Sequence, residues 1–200
     1  MLQVGILALQ GDFAAHGRVL DALEVGWRLV KTPSELAAVE GLIMPGGEST
    51  TLLKLLASSD LQSALETFHA QGRPIFGTCA GLILLAQEVI QPAQASLGFI
   101  DIVAVRNAYG RQIDSFITQG TPIDTAALGN KPLEMVFIRA PKIAQLGAEV
   151  RLLAAHRDDI VLARQGNVLV ASFHPELTDD HRAHQYFLQM VAEATLQYTH

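Results

Sequence analysis

The chain has 200 residues, of which 50% are hydrophobic and 17% are charged, and its formal net charge at pH 7 is −6. A chain of this length buries about 70% of the surface that it exposes when extended. That is enough for one substantial core, so we expect a single domain over residues 1–200. The composition excludes the disordered class, and the acidic balance disfavours a nucleic-acid partner.

The number of cysteines and the length of the apolar runs indicate the cellular compartment of the protein. The chain holds one cysteine, Cys79, which excludes an internal disulfide and any zinc site built from several cysteines. Met1-Leu2-Gln3 lacks a basic leader, and apolar runs such as residues 82–86 are far below the ~18 residues of a membrane span. We therefore expect a soluble cytoplasmic protein with no membrane partner.

Short strand patterns alternate with helical patterns in the first ninety residues. Strands are predicted at 4–9, 27–30, 41–44 and 74–77, and helices at 13–23, 33–39, 50–57, 61–71 and 82–89. Helical crossovers between buried strands favour a parallel, doubly wound α/β sheet with helices on both faces. Ligands of such sheets bind at the carboxyl ends of the strands.

Strand candidates lie closer together after residue 100, which predicts antiparallel pairing. They fall at 100–105, 115–118, 133–138, 150–155, 160–163 and 168–173, and a closing helix is predicted from residue 180 to about 197. The fold class expected is α/β, with a mainly parallel sheet and some antiparallel strands in the C-terminal half.

The lone cysteine lies where a predicted strand meets a predicted helix. The string Gly77-Thr78-Cys79-Ala80-Gly81 has the spacing of a nucleophile elbow, in which small flanking residues permit a strained turn. At a helix start the Cys79 thiolate is favoured by the dipole, and the Ala80 N–H is free to bind an oxyanion. A buried structural cysteine is the alternative, and the two glycines favour the nucleophile.

A general base is needed for such a nucleophile, and His174 is the best candidate. It follows a buried strand run and precedes Pro175, which favours extended backbone at residue 174. On extended backbone, Glu176 would point the same way as His174 and could orient its ring. A simple turn at the strand end is an equally good interpretation of this motif alone.

The other histidines have simpler interpretations. We expect His16, His69, His156 and His200 to be solvated. His181 and His184 share a helical face, but an N-terminal helix cap at residues 178–180 is a better account than a metal site, so no metal is predicted.

Three further segments follow predicted strands. Gly46-Gly47 permits close backbone approach and offers a second N–H for an oxyanion, although a plain tight turn would also use this pair. The loop lacks the lysine of a phosphate-binding loop. Arg106 and Arg139 each follow a strand run, where guanidinium groups could bind a substrate carboxylate, although surface arginines are commoner.

Six strings, in order from residue 5 to residue 178, carry a family resemblance. They are Gly5-Ile6-Leu7-Ala8-Leu9-Gln10-Gly11, Pro45-Gly46-Gly47-Glu48-Ser49-Thr50-Thr51, Gly77-Thr78-Cys79-Ala80-Gly81-Leu82, Arg106-Asn107 with Gly110-Arg111-Gln112, Phe137-Ile138-Arg139-Ala140-Pro141 and Ser172-Phe173-His174-Pro175-Glu176-Leu177-Thr178. The chain resembles the class I, or triad, glutamine amidotransferases. Within them it is similar to the glutaminase subunits of pyridoxal 5′-phosphate synthases.

The resemblance implies a flavodoxin-like three-layer fold and a catalytic triad of Cys79, His174 and Glu176. It further implies a glutamine site and an oxyanion hole made by backbone N–H groups. The implied glutamine-binding residues are Gly47, Glu48, Ser49, Arg106, Ile138 and Arg139, and the implied oxyanion residues are Gly47 and Ala80.

The resemblance also implies a partner and a product. Ammonia from L-glutamine would pass to a (β/α)₈-barrel synthase subunit that builds pyridoxal 5′-phosphate from ribose 5-phosphate and glyceraldehyde 3-phosphate. This subunit itself would bind no cofactor, and Gln10 would lie where the family senses its partner. One departure is Ala15, where an acidic residue is expected, which bears on how the first helix docks.

Two other functions remain open at this point. One is a free-standing cysteine hydrolase of γ-glutamyl compounds with the same fold. The other is a non-catalytic redox or interaction module, which the intact His174-Pro175-Glu176 string disfavours.

Overall fold

The computed structural model describes residues 2–106 and 115–197. The motif residues Asn107 and Gly110-Arg111-Gln112 and the histidine His200 lie outside the described residues. Within these ranges the helices are α1 (Phe13–Ala22), α2 (Pro33–Ala37), α3 (Ser49–Ser58), α4 (Leu61–Ala70), α5 (Ala80–Leu85), α6 (Thr125–Leu128) and α7 (Arg182–Gln197). The strands are β1 (Gln3–Leu7), β2 (Gly26–Val30), β3 (Gly41–Met44), β4 (Ile75–Thr78), β5 (Ala86–Ile90), β6 (Ile100–Val105), β7 (Ser115–Pro122), β8 (Leu133–Ile138), β9 (Lys142–Leu146), β10 (Arg151–His156), β11 (Asp159–Gln165) and β12 (Val168–Ala171).

One mixed sheet joins these strands in the order β2-β1-β3-β4-β12-β11-β10-β7-β8, with β5, β6 and β9 attached through β11. The pairs from β2 to β12 are parallel, and those from β12 to β8 are antiparallel. The predicted change from parallel to antiparallel pairing is therefore confirmed. Two strands after residue 100 are exceptions, because β12 returns to the parallel half and pairs with β4, and β6 pairs in parallel with β5.

Alternate residues of the parallel strands belong to different hydrophobic clusters, as expected for a sheet covered on both faces. In β3, Leu42 and Met44 belong to the cluster that includes residues of α2, α3, α4 and α5. Ile43 belongs to the cluster that includes residues of α1, α6 and α7. The described chain thus forms three layers, with helices on both sides of the sheet.

The predicted helix at 82–89 is wrong in its second half. Helix α5 ends at Leu85, and β5 follows at once, pairing in parallel with β6. An unbroken apolar run carries no period, so the sequence could not distinguish a buried helix from the strand that succeeds it. Strand β9 was also missed. Among the described residues no helix is long and apolar enough to cross a membrane.

Candidate active site

Cys79 occupies a strained turn between β4 and α5. Its backbone has φ 50° and ψ −104°, a region that side chains other than glycine rarely adopt. The flanking glycines are needed for space, because a Cβ on Gly77 would lie 2.7 Å from the backbone carbon of Gly81 and a Cβ on Gly81 would lie 2.1 Å from the Met44 carbonyl oxygen. The predicted elbow is confirmed.

The pairing of β4 with β12 brings the second motif to Cys79. Thr78 is in register with Ala171, and the Cys79 N–H donates to the Ala171 carbonyl at 2.9 Å. His174 follows three residues after the end of β12, so both motifs lie at the carboxyl edge of the parallel half. This is the edge at which ligands of doubly wound sheets bind.

His174 contacts Cys79 on one side and Glu176 on the other. The distance from His174 Nδ1 to Glu176 Oε1 is 2.7 Å, which leaves Nε2 as the ring nitrogen for the thiol. Burial lowers the pKa of His174, but its hydrogen bonds to Cys79 and Glu176 and the charge of Glu176 outweigh burial and raise the pKa to about 10. A ring of this kind is a strong base toward the thiol.

Glu176 is buried, with a side chain that is 0% exposed. Burial alone raises its pKa, but the facing imidazoles of His16 and His174 outweigh burial and lower the pKa to about 2. The carboxylate is therefore ionised and can orient the ring of His174.

The backbone that carries this contact differs from the prediction. Residues Pro175–Leu177 form a 3₁₀ turn, closed by the Leu177 N–H, which donates to the His174 carbonyl at 3.3 Å. Extended backbone beyond His174 is therefore wrong, and a tight turn at the strand end brings the two side chains together. The turn and the orienting contact, which the motif left as alternatives, occur together.

The Gly46-Gly47 pair lies directly against these side chains. A Cβ on Gly46 would lie 2.7 Å from His174 Cε1 and 3.4 Å from the Cys79 Cβ. A Cβ on Gly47 would lie 2.6 Å from the Gln10 side-chain oxygen. Only glycine lets the backbone approach this closely. Ala80, on the other side of Cys79, is the first residue of α5, where a helix leaves its N–H groups without intrahelical partners.

A cavity of about 290 Å³ opens beside Cys79, a volume near the small end of ligand pockets. Its lining includes every implied glutamine-binding residue. The residues concerned are Gly47, Glu48, Ser49, Arg106, Ile138 and Arg139, and Gln10, Cys79, Ala80, Ile83, Pro141 and His174 also line the cavity.

Glu48 and Ser49 are held by the chain itself. The Glu48 carboxylate caps α3, accepting from the Thr51 N–H at 2.8 Å and the Thr51 hydroxyl at 2.8 Å. Hydrogen bonds from the hydroxyls of Thr50 and Thr51 lower its pKa to about 2. The Ser49 hydroxyl donates to Gln94 Oε1 at 2.8 Å. Gln94 was not singled out by the sequence, because nothing in its neighbourhood carries a motif.

The two arginines lie where the strand ends predicted them. Arg106 follows β6, and its Nη2 lies 3.6 Å from Glu48 Oε1. Arg139 follows β8 with φ 43°, a left-handed conformation that is uncommon for arginine. The cavity therefore combines two guanidinium groups, which suit a carboxylate, with the Glu48 carboxylate, which suits an ammonium group.

His16 is a second residue that sequence reasoning missed. It was expected to be solvated, but it is 0% exposed and its Nε2 lies 3.5 Å from Glu176 Oε2. It lies on the inner face of α1. The residues around it in the sequence are a mixture of apolar and small residues, which does not show which side of the helix is buried. His184 is also buried, while His69 and His156 are half-buried. In the described ranges no three histidine, cysteine or acidic residues are grouped as a metal site.

The lowered pKa of Glu176 predicts a loss of stability in acid. A carboxyl whose pKa falls from 4.5 to about 2 on folding stabilises the native state above the higher value and loses this contribution as the pH falls through the lower one. We expect the wild type to lose on the order of 3 kcal/mol more than Glu176→Gln between neutral pH and the acid limit. Urea unfolding at a series of pH values measures this difference, and parallel curves for the two proteins would contradict it.

Comparisons with known proteins identify relatives of this chain. A relative from Thermosipho africanus named pyridoxal 5′-phosphate synthase subunit PdxT is 49% identical over 190 residues, which cover 95% of this chain and 99% of the relative. A protein of the same name from Bacillus licheniformis is 46% identical over 192 residues, covering 96% and 95%. A crystal structure described as a glutamine amidotransferase has a TM-score of 0.87 at 43% identity, covering 94% of this chain and 98% of that one.

These similarities span almost the whole chain and include the cavity. The structural match confirms the expected α/β, flavodoxin-like class I amidotransferase fold. The family profile that matches residues 6–193 is described as the SNO glutamine amidotransferase family. The chain therefore belongs to the SNO glutamine amidotransferase family.

Proposed function

We propose that this chain hydrolyses L-glutamine to L-glutamate and ammonia, and delivers the ammonia to a synthase subunit that makes pyridoxal 5′-phosphate. The observation that carries the proposal is the contact chain from Cys79 through His174 to an ionised Glu176, at the wall of a cavity of amino-acid size. Membership of the family and the names of the relatives support the same conclusion.

In the first half of the reaction, His174 Nε2 accepts the proton of the Cys79 thiol. The sulfur attacks the side-chain amide carbon of glutamine, and the carbonyl π electrons move to oxygen to form a tetrahedral oxyanion. The His174 imidazolium then donates its proton to the amide nitrogen, the C–N bond breaks, and ammonia leaves. A γ-glutamyl thioester remains on Cys79.

In the second half, water replaces ammonia. His174 takes a proton from the water molecule, whose oxygen attacks the thioester carbon to form a second oxyanion. The C–S bond breaks, glutamate is released, and the proton on His174 returns to the sulfur. Throughout, Glu176 stabilises the His174 imidazolium and keeps its Nδ1 directed at the carboxylate.

The oxyanion would be bound by the N–H groups of Ala80 and Gly47. The Ala80 N–H belongs to the residue after the nucleophile, as in other nucleophile elbows. The Gly47 N–H comes from the loop that packs against His174. Two backbone donors aimed at a developing charge supply several kcal/mol of transition-state stabilisation, roughly 3 kcal/mol for each donor.

Recognition of glutamine would use the two ends of the α-amino acid. Arg106 and Arg139 suit the α-carboxylate, and Glu48 suits the α-ammonium group. Backbone atoms of Gly47 and Ile138, with Ser49, would complete the site, and the Ile138 carbonyl oxygen already lies 4.0 Å from the Cys79 sulfur.

The partner part of the proposal is a synthase subunit of the (β/α)₈-barrel type, which would consume ribose 5-phosphate and glyceraldehyde 3-phosphate. The names of the relatives support a synthase complex. The present subunit would bind no cofactor and no metal, and it would work in the cytoplasm, where the single cysteine stays reduced. Gln10, which accepts from the Glu48 N–H at 2.9 Å, would report partner binding to the cavity.

The close approach of Gly46 predicts a specific loss of activity. In Gly46→Ala the new Cβ must displace His174 Cε1, which would lie 2.7 Å away. We expect glutamate release to fall about 10- to 100-fold, since displacement of a reacting group by up to 1 Å has effects of this size. The control is Gly166→Ala, a glycine with φ +53° whose added Cβ would meet no atom within 4 Å, which should lose stability and keep activity. Equal activity in both variants would contradict the prediction.

The experiment that tests the function is glutamate release from L-glutamine by the purified chain, with and without a matching synthase subunit, and with Cys79→Ala as the blank. We expect release that appears or rises sharply with the synthase and is absent from the variant. Free hydrolysis would waste ammonia, so the unassembled chain should be poorly active. Equal turnover with and without the synthase would favour a free-standing γ-glutamyl hydrolase, and no release in either case would overturn the proposal.

A further inference from the structure

A buried polar chain continues behind Glu176, away from the cavity. His16 Nδ1 lies 2.9 Å from His184 Nε2, and His16 Nε2 lies 3.2 Å from the Thr78 hydroxyl. Both histidines are 0% exposed. Three elements meet here, because His16 belongs to α1, His184 to α7, and Thr78 is the last residue of β4, next to Cys79.

Burial disfavours the imidazolium form of both histidines, which favours neutral rings. It lowers the pKa of His16, although Glu176 attracts its proton, and it lowers the pKa of His184 well below the ordinary value. The titratable groups that face His16 are Glu176, His174 and His184, with Asp12 at the start of α1. A neutral imidazole carries one N–H, so each ring has one donor and one acceptor nitrogen.

The contacts of Glu176 select one arrangement of these protons. Glu176 Oε1 accepts from His174, but Oε2 is buried and has no hydrogen-bond partner among the described residues. His16 Nε2, which is able to donate, lies 3.5 Å from Oε2. A lone pair at that nitrogen would repel the carboxylate, whereas an N–H there is attracted to it. The Glu176 carboxylate therefore favours the tautomer of His16 that carries its proton on Nε2.

The contact of His184 with His16 Nδ1 stabilises the same tautomer. With the His16 proton on Nε2, Nδ1 must accept, so His184 Nε2 donates across the 2.9 Å contact. His184 then has its lone pair on Nδ1, for which the described part of the chain offers no hydrogen-bond partner. An unpaired lone pair of a neutral ring costs less than an unpaired N–H, and in this arrangement both ring protons face an acceptor.

We propose that His16 is a positioning residue for the triad. Its Nε2–H points between the Glu176 carboxylate and the Thr78 hydroxyl and so holds the carboxylate against His174. Fixing the second oxygen prevents the carboxylate from rotating away from Nδ1 when the thiol proton moves. The contact also links helix α1 to the segment that carries Cys79. The inference deepens the proposed glutaminase mechanism and rests on it for its effect on turnover.

Two variants with an amide side chain at position 16 test the roles of the two ring nitrogens separately. The amide nitrogen of His16→Gln can reach the place of Nε2 and still donate to Glu176, whereas the shorter His16→Asn reaches only the place of Nδ1. With the synthase present we expect His16→Asn to lower kcat about 10- to 100-fold with little change in KM. We expect His16→Gln to stay within about threefold of the wild type, because its donor is kept. Urea unfolding of both variants establishes whether their stabilities match.

A measurement that needs no turnover distinguishes this inference from the proposed function. The pH profile of Cys79 alkylation by iodoacetamide reports how strongly Glu176 supports the His174 imidazolium. We expect its midpoint to move to higher pH by about 0.5 to 1 unit in His16→Asn and to stay in place in His16→Gln. A merely structural role would move neither midpoint, or would move both in proportion to lost stability, and either result would overturn the inference.

The tautomer itself can be observed in the unaltered protein. Nitrogen-15 NMR of the wild-type chain, with His16 assigned by sequential triple-resonance experiments on the wild type itself, should show a neutral ring protonated on Nε2. A ring protonated on Nδ1, or an imidazolium at neutral pH, would overturn the inference even if both variants failed to fold. If the wild type released no glutamate with its synthase, the function would fail while this spectrum still decided the positioning role.

Discussion

Replacing Cys79 by alanine should reduce glutamate release about 10⁴-fold or more, because no other group in the cavity can form the thioester. Cys79→Ser is the matched control, since it keeps the shape of the side chain and a hydrogen bond to His174. Serine is a much poorer nucleophile at this site, so we expect a loss of about 10²-fold or more even with the geometry preserved. Release by Cys79→Ala above about 1% of the wild-type rate would remove Cys79 from the mechanism.

Substitutions of Cys79 should also show that the strained backbone at this residue lowers the free energy of unfolding. Cys79 has φ 50° and ψ −104°, and strain of this kind costs of order 1–3 kcal/mol for a residue with a Cβ. Cys79→Gly relieves it but adds about 0.5–1 kcal/mol of chain entropy. We expect Cys79→Gly to be about 1 kcal/mol more stable than Cys79→Ala.

Urea unfolding of these two variants is a clean comparison, because both lack the thiol and differ only in the Cβ. If Cys79→Ala proved the more stable of the two, the elbow would not be strained. The φ angle would then be an ordinary feature of the turn, and the strain would have no part in presenting the sulfur.

Local patterns predicted the segments on which the site depends. Glycines two residues either side of Cys79 indicated a turn too tight for a Cβ, and Gly77 and Gly81 have that role against backbone atoms. The strand run before His174 indicated a buried strand end, and β12 pairs with β4 there. Each of these features depends on residues close together in the chain, which is why it could be recognised without coordinates.

Contacts between distant segments could not be predicted in this way. The strand β5 forms because β6 offers it a parallel partner, and nothing within residues 86–90 reveals that partner. His16 is buried because α1 packs against the sheet with α7 on the same side, 168 residues from His184. A histidine between alanine and glycine carries no local signal of such a place.

Glutamate release should be almost as sensitive to substitution of Glu176 as to substitution of Cys79. Glu176→Gln keeps the size of the side chain and an oxygen able to accept from His174 Nδ1, but it removes the charge that stabilises the imidazolium. We expect kcat to fall about 10²- to 10⁴-fold with KM within a few-fold of the wild type, since the loss is confined to the transition state. Steady-state glutamate release in the presence of the synthase measures both constants.

Glu176→Asp is the matched variant for distance, because it keeps the charge and shortens the side chain by one methylene group. The 2.7 Å contact with His174 Nδ1 lengthens by about 1.5 Å at most, so part of the electrostatic stabilisation survives. We expect Glu176→Asp to retain more activity than Glu176→Gln, although Asp is the larger change in shape. The opposite order would mean that the carboxylate only fills space behind His174, and that the 3₁₀ turn at Pro175–Leu177 suffices to hold the base in place.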